Sequence, residues 1–174
     1  MKRILPLVVL LGLFAACDGG ADDPEEIDAQ AKADQTTLEI CASSVCGDWK
    51  PFYGPDKGAV SCILDAAASG SASSAGIMHV ADGGAHCWSE TRMFVVGDGV
   101  AYLWEARDSV CDDEALFDEY ELQRCLVDMD AVANCQAQVE GWDPGDPMTH
   151  DAPDCADPSR WLTGCVAADE ASCG

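Results

Sequence analysis

Basic side chains are scarce in this chain. Its 174 residues include 9 Lys and Arg against 32 Asp and Glu, a formal net charge of −23 at pH 7. Such a surface repels polyanions, so nucleic acids and anionic membrane surfaces are excluded as partners. The carboxylate excess is typical of a solvated exterior, and the alternative is that it binds cations or a basic protein.

Sequence motifs typical of catalytic or phosphate-binding sites are also missing. The sequence holds no Gly-x-Ser-x-Gly nucleophile elbow and no Gly-rich phosphate loop ahead of a helix. No internal repeat occurs at solenoid or propeller periods. Carboxylate pairs are frequent only because carboxylates are frequent. We therefore predict a non-enzymatic protein.

A short apolar run opens the chain. Lys2 and Arg3 are followed by apolar residues from Ile4 to Phe14 and by two alanines. A positive start, a short apolar core and a small-residue exit are typical of a secretory signal peptide, and the run is too short to span a bilayer. We predict that residues 1–16 are a signal peptide.

The end of that segment, Phe14-Ala15-Ala16-Cys17, resembles the lipobox of bacterial lipoproteins, with Phe14 where Leu is usual. The resemblance implies that lipid is attached to Cys17. It also implies a lipid-anchored protein on the extracytoplasmic side of a membrane, facing the periplasm or the cell surface. The membrane is then a partner through the anchor alone.

Cysteine is abundant, with 11 residues in the chain. If Cys17 carries lipid, an even number is left, which in an exported protein predicts five disulfides with open connectivity. A zinc finger is less favoured, because Cys41 and Cys46 lack a second pair at matching spacing. The predicted disulfide cysteines are Cys41, Cys46, Cys62, Cys87, Cys111, Cys125, Cys135, Cys155, Cys165 and Cys173.

The remaining chain divides into two parts by composition. Residues 17–36 are acidic and have few apolar side chains, which predicts a lipid-anchored flexible tether. Residues 37–174 contain the other cysteines and are predicted to form a single disulfide-stabilised globular domain.

Apolar spacing predicts several short helices. One covers Asp56–Ser69, with Asp56 as N-cap and a break at Gly70, followed by a loop to Gly76. The other stripes predict helices around Leu122 to Met129 (Leu122, Cys125, Leu126, Met129), from Asp130 to Gly141, and over Ser159–Thr163.

Two Asp-Gly dipeptides predict β-turns. A two-residue turn at Asp98-Gly99 places Arg92 opposite Glu105 and Glu90 opposite Arg107, two favourable cross-strand pairs. The same treatment of Asp82-Gly83 places His79 opposite His86 and Met78 opposite Cys87. The result is a three-stranded meander on the Asp56–Ser69 helix, with Cys87 within reach of Cys62.

These elements predict the α+β class: a small antiparallel β-meander packed against several short helices, rich in disulfides. The alternation of a Cys-bearing helix, a hairpin and a Cys-rich helical tail resembles uncharacterised cysteine-rich lipoproteins of predatory soil bacteria. That resemblance implies no known activity.

Two groups of residues are candidate metal ligands. His79 and His86, with Glu90 as a third ligand, have the chemistry of a zinc or copper site. We favour two solvated polar residues instead, because two ligands make a weak site.

An acidic loop is the second candidate. It contains Asp143, Asp146, Asp151, Asp154 and Asp157, with His150 among them, and it would offer oxygen ligands to calcium. Its spacing differs from the EF-hand pattern, so a solvated loop is the favoured interpretation.

The sequence thus predicts an exported, lipid-anchored protein of the cell envelope that acts as a non-enzymatic binding or structural module. Its expected partner is another envelope protein or a basic protein. The alternative is a divalent-metal-binding protein, with calcium in the Asp143–Asp157 loop, or a metal-dependent hydrolase that uses His79 and His86.

Overall fold

The computed structural model describes residues 23–49, 56–80, 88–108, 116–145 and 152–173. Three helices are present in these ranges: α1 (Pro24–Cys41), α2 (Lys57–Ser69) and α3 (Met129–Gly141). The six strands are β1 (Val45–Trp49), β2 (Ser73–Val80), β3 (Trp88–Gly97), β4 (Val100–Arg107), β5 (Glu119–Val127) and β6 (Leu162–Ala167). Within the described ranges, no helix has the length and apolar character needed to cross a membrane.

The strands form one sheet in chain order, β1 to β6. Strands β2 to β6 form an antiparallel meander, and β1 is added parallel to β2. The α+β class and the meander are confirmed, although the sheet has six strands in the described residues rather than the predicted three.

Helices cover both faces of this sheet. Helices α2 and α3 pack on one face, where Val60, Ile63 and Val139 meet Met93 and Val95. Helix α1 packs on the other face, and the core there is formed by Ala31, Leu38, Phe94, Tyr102, Trp104 and Leu122. Burial of both faces removes the polar–apolar alternation that a half-exposed strand would show.

Helix α1 corrects the predicted tether. Residues 24–36 are helical, and the helix begins at a carboxylate N-cap, where Asp23 accepts a 3.1 Å hydrogen bond from Glu25 N. Ala31 and Leu38 are fully buried. The Trp104 indole Nε1 donates a 2.9 Å hydrogen bond to the carbonyl oxygen of Ala31. The domain therefore includes residues ahead of Thr37.

Helices α2 and α3 follow their apolar stripes. Asp56 accepts a 2.9 Å hydrogen bond from Ala59 N, and Gly70 ends α2 with a φ of 67°, as the sequence predicts. Val132 and Val139 of α3 are buried. The N-cap of α3 is Asp128 rather than Asp130.

The β3–β4 hairpin has the predicted turn but not the predicted pairs. Gly97 pairs with Val100 around Asp98-Gly99, and the register then shifts by one residue between Val95 and Gly97. As a result Arg92 lies opposite Trp104. The expected Arg92–Glu105 and Glu90–Arg107 pairs are wrong, because a bulge inserts an extra residue into β3.

Three further segments differ from prediction. The Leu122–Met129 stripe belongs mainly to strand β5, residues 73–76 belong to β2 rather than to a loop, and Leu162 begins β6 rather than continuing a helix. In β5, Leu122 is buried on the α1 side, whereas Cys125 is buried on the α2–α3 side. Apolar residues on both faces of a strand imitate helical spacing.

Four disulfides lie within the described residues: Cys41–Cys173, Cys46–Cys62, Cys125–Cys165 and Cys135–Cys155. They confirm a disulfide-rich fold. The expected Cys62–Cys87 contact is wrong, since Cys62 is bonded to Cys46. Cys17, Cys87 and Cys111 lie outside the described residues.

Candidate functional site

The register of β2 and β3 differs from the one that was predicted to place His79 opposite His86. His79 lies opposite Ser89 in the β2–β3 register, and His86 falls in residues 81–87, outside the described part of the chain. Glu90 lies opposite Met78 in the same register. Its side chain is 11% exposed and forms an ion pair with Arg92. The metal site of His79, His86 and Glu90 stays a prediction.

The acidic loop is only partly described. Asp143 accepts a 2.9 Å hydrogen bond from Gly145 N, Asp157 accepts one of 2.9 Å from Ser159 N, and Asp154 begins a 3-10 turn. Asp146, His150 and Asp151 lie outside the described residues. Across the ranges that the structure does describe, no group of three or more His, Cys, Asp or Glu side chains is arranged to hold a metal ion. The calcium site stays a prediction.

A polar area lies beyond the contact of α2 and α3 with the sheet. On the face that carries Met93 and Val95, the strands continue into polar side chains at alternate positions. We call this surface the polar sheet face; it consists of Ser89, Thr91, Glu105, Arg107, Glu119 and Glu121. The strand register places them in two rows, Ser89–Arg107–Glu119 and Thr91–Glu105–Glu121.

Charges in these rows are unevenly matched. Glu105 lies directly opposite Glu121, an arrangement of like charges that disfavours strand pairing. Arg107 forms an ion pair with Glu105 of its own strand, and its Nη1 is 3.9 Å from Oε2 of Glu119. The hydrogen bond to Glu105, and then the charge of Glu105, raise the pKa of Arg107 above its usual value. The face therefore combines three carboxylates with one permanent cation.

A shallow depression marks this region. Its volume is about 200 Å³, and it is lined by Glu105, Arg107, Glu119, Tyr120 and Glu121. The carboxylates are accessible, with the side chains of Glu105 and Glu119 35% and 58% exposed. A surface of this charge attracts ammonium or guanidinium groups rather than anions. The sequence signal was the period-two spacing of Glu105 with Arg107 and of Glu119 with Glu121.

On the opposite side of the sheet, α1 carries two buried carboxylates that sequence reasoning missed. Asp34 accepts hydrogen bonds from Tyr120 OH at 2.9 Å, from Gln30 Nε2 at 2.7 Å and from Ala171 N at 2.8 Å. Asp28 accepts from Lys32 Nζ at 2.6 Å and from Phe117 N at 3.3 Å. Burial, followed by the hydrogen bond to Asp34, raises the pKa of Tyr120 far above its ordinary value. This cluster fastens α1 to the sheet.

A polar groove, separate from the depression on the polar sheet face, runs between α2 and α3. Its volume is about 510 Å³, and its lining residues are Lys57, Ser61, Asp65, Gln136, Ala137 and Glu140. Lys57 donates a 3.0 Å hydrogen bond to the carbonyl oxygen of Glu140 and another to that of Trp142, at the end of α3. A cation here neutralises the negative end of the helix dipole. Lys57 therefore has a structural role.

Comparison of the chain with protein-family models, with curated proteins and with solved structures gives no match.

Proposed function

We propose that this protein is an exported, lipid-anchored module of the cell envelope that binds a partner and does not catalyse a reaction. Four disulfides indicate an oxidising, extracytoplasmic compartment. Attachment through Cys17 is supported by the resemblance of Phe14-Ala15-Ala16-Cys17 to a lipobox.

The disulfides are the main structural observation in favour of an exported protein. Cys41–Cys173 joins the end of α1 to the C-terminal tail across 132 positions of sequence. The other bonds join β1 to α2, β5 to β6, and α3 to the 3-10 turn at Asp154–Ala156. Each of the three described helices is therefore tied to another element by a disulfide, which suits a protein that must persist outside the cell.

The polar sheet face supports a binding role. Its carboxylates are exposed, whereas α2 and α3 cover Met93 and Val95 on the same face of the sheet. Its three carboxylates around Arg107 would meet lysine or arginine side chains of a basic envelope protein. The repulsion between Glu105 and Glu121 would be relieved by such a partner.

The anchor is tested by the intact mass of the protein recovered from native membranes. We expect a mass that begins at Cys17 and includes acyl chains. The Cys17→Ser variant should lose acyl labelling and leave the membrane fraction. An unacylated mass, or unchanged membrane retention of the variant, would refute the lipid anchor.

The binding surface is tested by titrating a lysine-rich peptide into the protein at low ionic strength. The Glu105→Gln/Glu121→Gln variant should bind about tenfold more weakly, because it loses both facing carboxylates. The control is Glu25→Gln/Glu26→Gln, which removes the same charge from the exposed first turn of α1. Equal weakening in both variants would show that only net charge matters and would remove the polar sheet face as the site.

A further inference from the structure

Strand β6 is an edge of the sheet with an open outer side. It pairs with β5, and no other strand in the described ranges pairs with it. Residues 163–167 are all exposed. The strand, Leu-Thr-Gly-Cys-Val-Ala, contains no charged residue and no proline, which are the usual obstacles to pairing with another strand.

The hydrogen bonds at both ends of β6 show which backbone groups point outward. The carbonyl oxygen of Trp161 accepts a 2.9 Å bond from Asp128 N, and Ala168 N donates a 2.9 Å bond to the carbonyl oxygen of Leu122. Because backbone groups alternate in direction along a strand, the neighbouring Leu162 and Ala167 direct their N–H and C=O groups away from β5.

A bulge in β6 allows the backbone groups of both Leu162 and Ala167 to point away from β5. Leu162 and Ala167 are an odd number of positions apart, so in a regular strand their backbone groups would point to opposite sides. The β5–β6 register shifts between Arg124 and Leu126, and Gly164 there has a φ of 58°. The extra residue brings both ends of β6 into the same orientation.

We propose that this edge pairs with β6 of a second copy of the chain, antiparallel and around a twofold axis. Full overlap places Leu162 of one copy opposite Ala167 of the other, and both residues have free outward groups. A pair of this kind exchanges two main-chain hydrogen bonds. Thr163 then lies opposite Val166 on the same face, so the two sheets join with matching faces.

Charges outside the strand complement each other in this register. The same pairing brings Arg160 of one copy towards Asp169 of the other, and symmetry repeats the contact. Both residues are exposed. The opposite edge, β1, carries Asp48 and would lack such a match.

Exposed apolar side chains gather at the same junction. Val166 is 59% exposed and Leu126 is 50% exposed, and both lie on the face of the sheet that α1 covers. In the proposed dimer these side chains from both copies form one apolar patch beside the twofold axis. Burial of that patch stabilises the pairing in addition to the hydrogen bonds.

The test is sedimentation velocity of the purified full chain over a range of concentrations, with and without Cys17→Ser, so that the result does not depend on the anchor. Physiological salt screens the repulsion between two acidic copies. We expect a concentration-dependent dimer. A chain that remains monomeric up to millimolar concentration would overturn the proposal, even if the edge then binds an extended segment of another protein.

Two substitutions in β6 test the interface. Ala167→Pro removes an N–H group that makes no bond to β5, and proline is tolerated at an edge. It should weaken the dimer about tenfold, because two hydrogen bonds are lost per dimer. Val166→Asp should weaken it at least as much, whereas Ile40→Asp, at a residue 78% exposed on α1, should not. Equal effects of the two Asp variants would overturn the assignment to β6.

A charge exchange tests the register. Arg160→Asp and Asp169→Arg should each weaken the dimer about five- to tenfold, through two repulsive contacts of the size of surface ion pairs. The double variant restores both contacts and should return to within about threefold of the native constant. No rescue in a double variant that is folded would overturn the proposed pairing.

Discussion

The Asp34 carboxylate of α1 and the Tyr120 hydroxyl of β5 are 2.9 Å apart, joined by a hydrogen bond in which tyrosine is the donor. The other Asp34 oxygen accepts from Ala171 N of the C-terminal tail. One side chain, 4% exposed as a residue, thus connects the first helix, the sheet and the end of the chain.

We predict that Asp34→Ala lowers the free energy of unfolding by about 2–4 kcal/mol, because three part-buried hydrogen bonds lose their acceptor. The control is Asp65→Ala, which removes an exposed carboxylate that accepts one hydrogen bond from Gln136 and should cost about 0.5 kcal/mol. Urea unfolding measures both variants. Equal costs would contradict a stabilising role for the buried cluster.

The raised pKa of Tyr120 predicts a loss of stability in alkali. The fold favours the neutral phenol, whereas an unfolded tyrosine ionises near pH 10. The contribution is therefore complete below about pH 10 and declines as the pH rises further. Urea midpoints at pH 8 to 11 should fall more steeply in the native protein than in Tyr120→Phe. Identical slopes would contradict this prediction.

The four disulfides should differ in their contributions. Cys41–Cys173 closes a loop of separation 132, whereas Cys46–Cys62 closes one of separation 16. Loop-closure entropy predicts that Cys41→Ser/Cys173→Ser costs about 2 kcal/mol more than Cys46→Ser/Cys62→Ser. Urea unfolding of the two double variants gives the difference, and a larger cost for the shorter loop would show that local packing dominates.

The cysteine count predicts a fifth bond. If Cys17 carries lipid, the four observed disulfides leave Cys87 and Cys111 as the remaining pair. Cys87 directly precedes β3, and Cys111 follows the end of β4, whose Arg107 pairs with Ser89 near the start of β3. Peptide mapping without reduction should yield a Cys87–Cys111 peptide. Alkylation of both thiols in the unreduced protein would contradict the prediction.

Local signals were sufficient for α2. Its N-cap, its apolar stripe and the glycine at its end all lie within the segment, so no distant contact is needed to predict the helix. The N-terminal helix α1 had similar signals, an Asp23 N-cap followed by Pro24 and two glutamates, but its acidic composition concealed them. Its buried face contains Asp28 and Asp34, which are favourable only because the folded chain supplies their donors.

Strand β5 shows why the rest was not predictable. Its apolar residues alternate between two covered faces, so their spacing matches a helix as well as a strand. Eight residue pairs with β4 select the strand, and those pairs exist only in the assembled sheet. The bulge in β3 similarly moved Arg92 away from Glu105, so that Arg92 lies opposite Trp104 and Thr91 lies opposite Glu105.

The sequence alone determined the α+β class, helix α2, the Asp98-Gly99 turn and the use of disulfides, because each depends on composition or on contacts between near neighbours. The tertiary structure decided the strand registers, the docking of α1, the disulfide partners and the polar sheet face. These depend on contacts between residues far apart in sequence, and a single inserted residue reverses which side chains face each other.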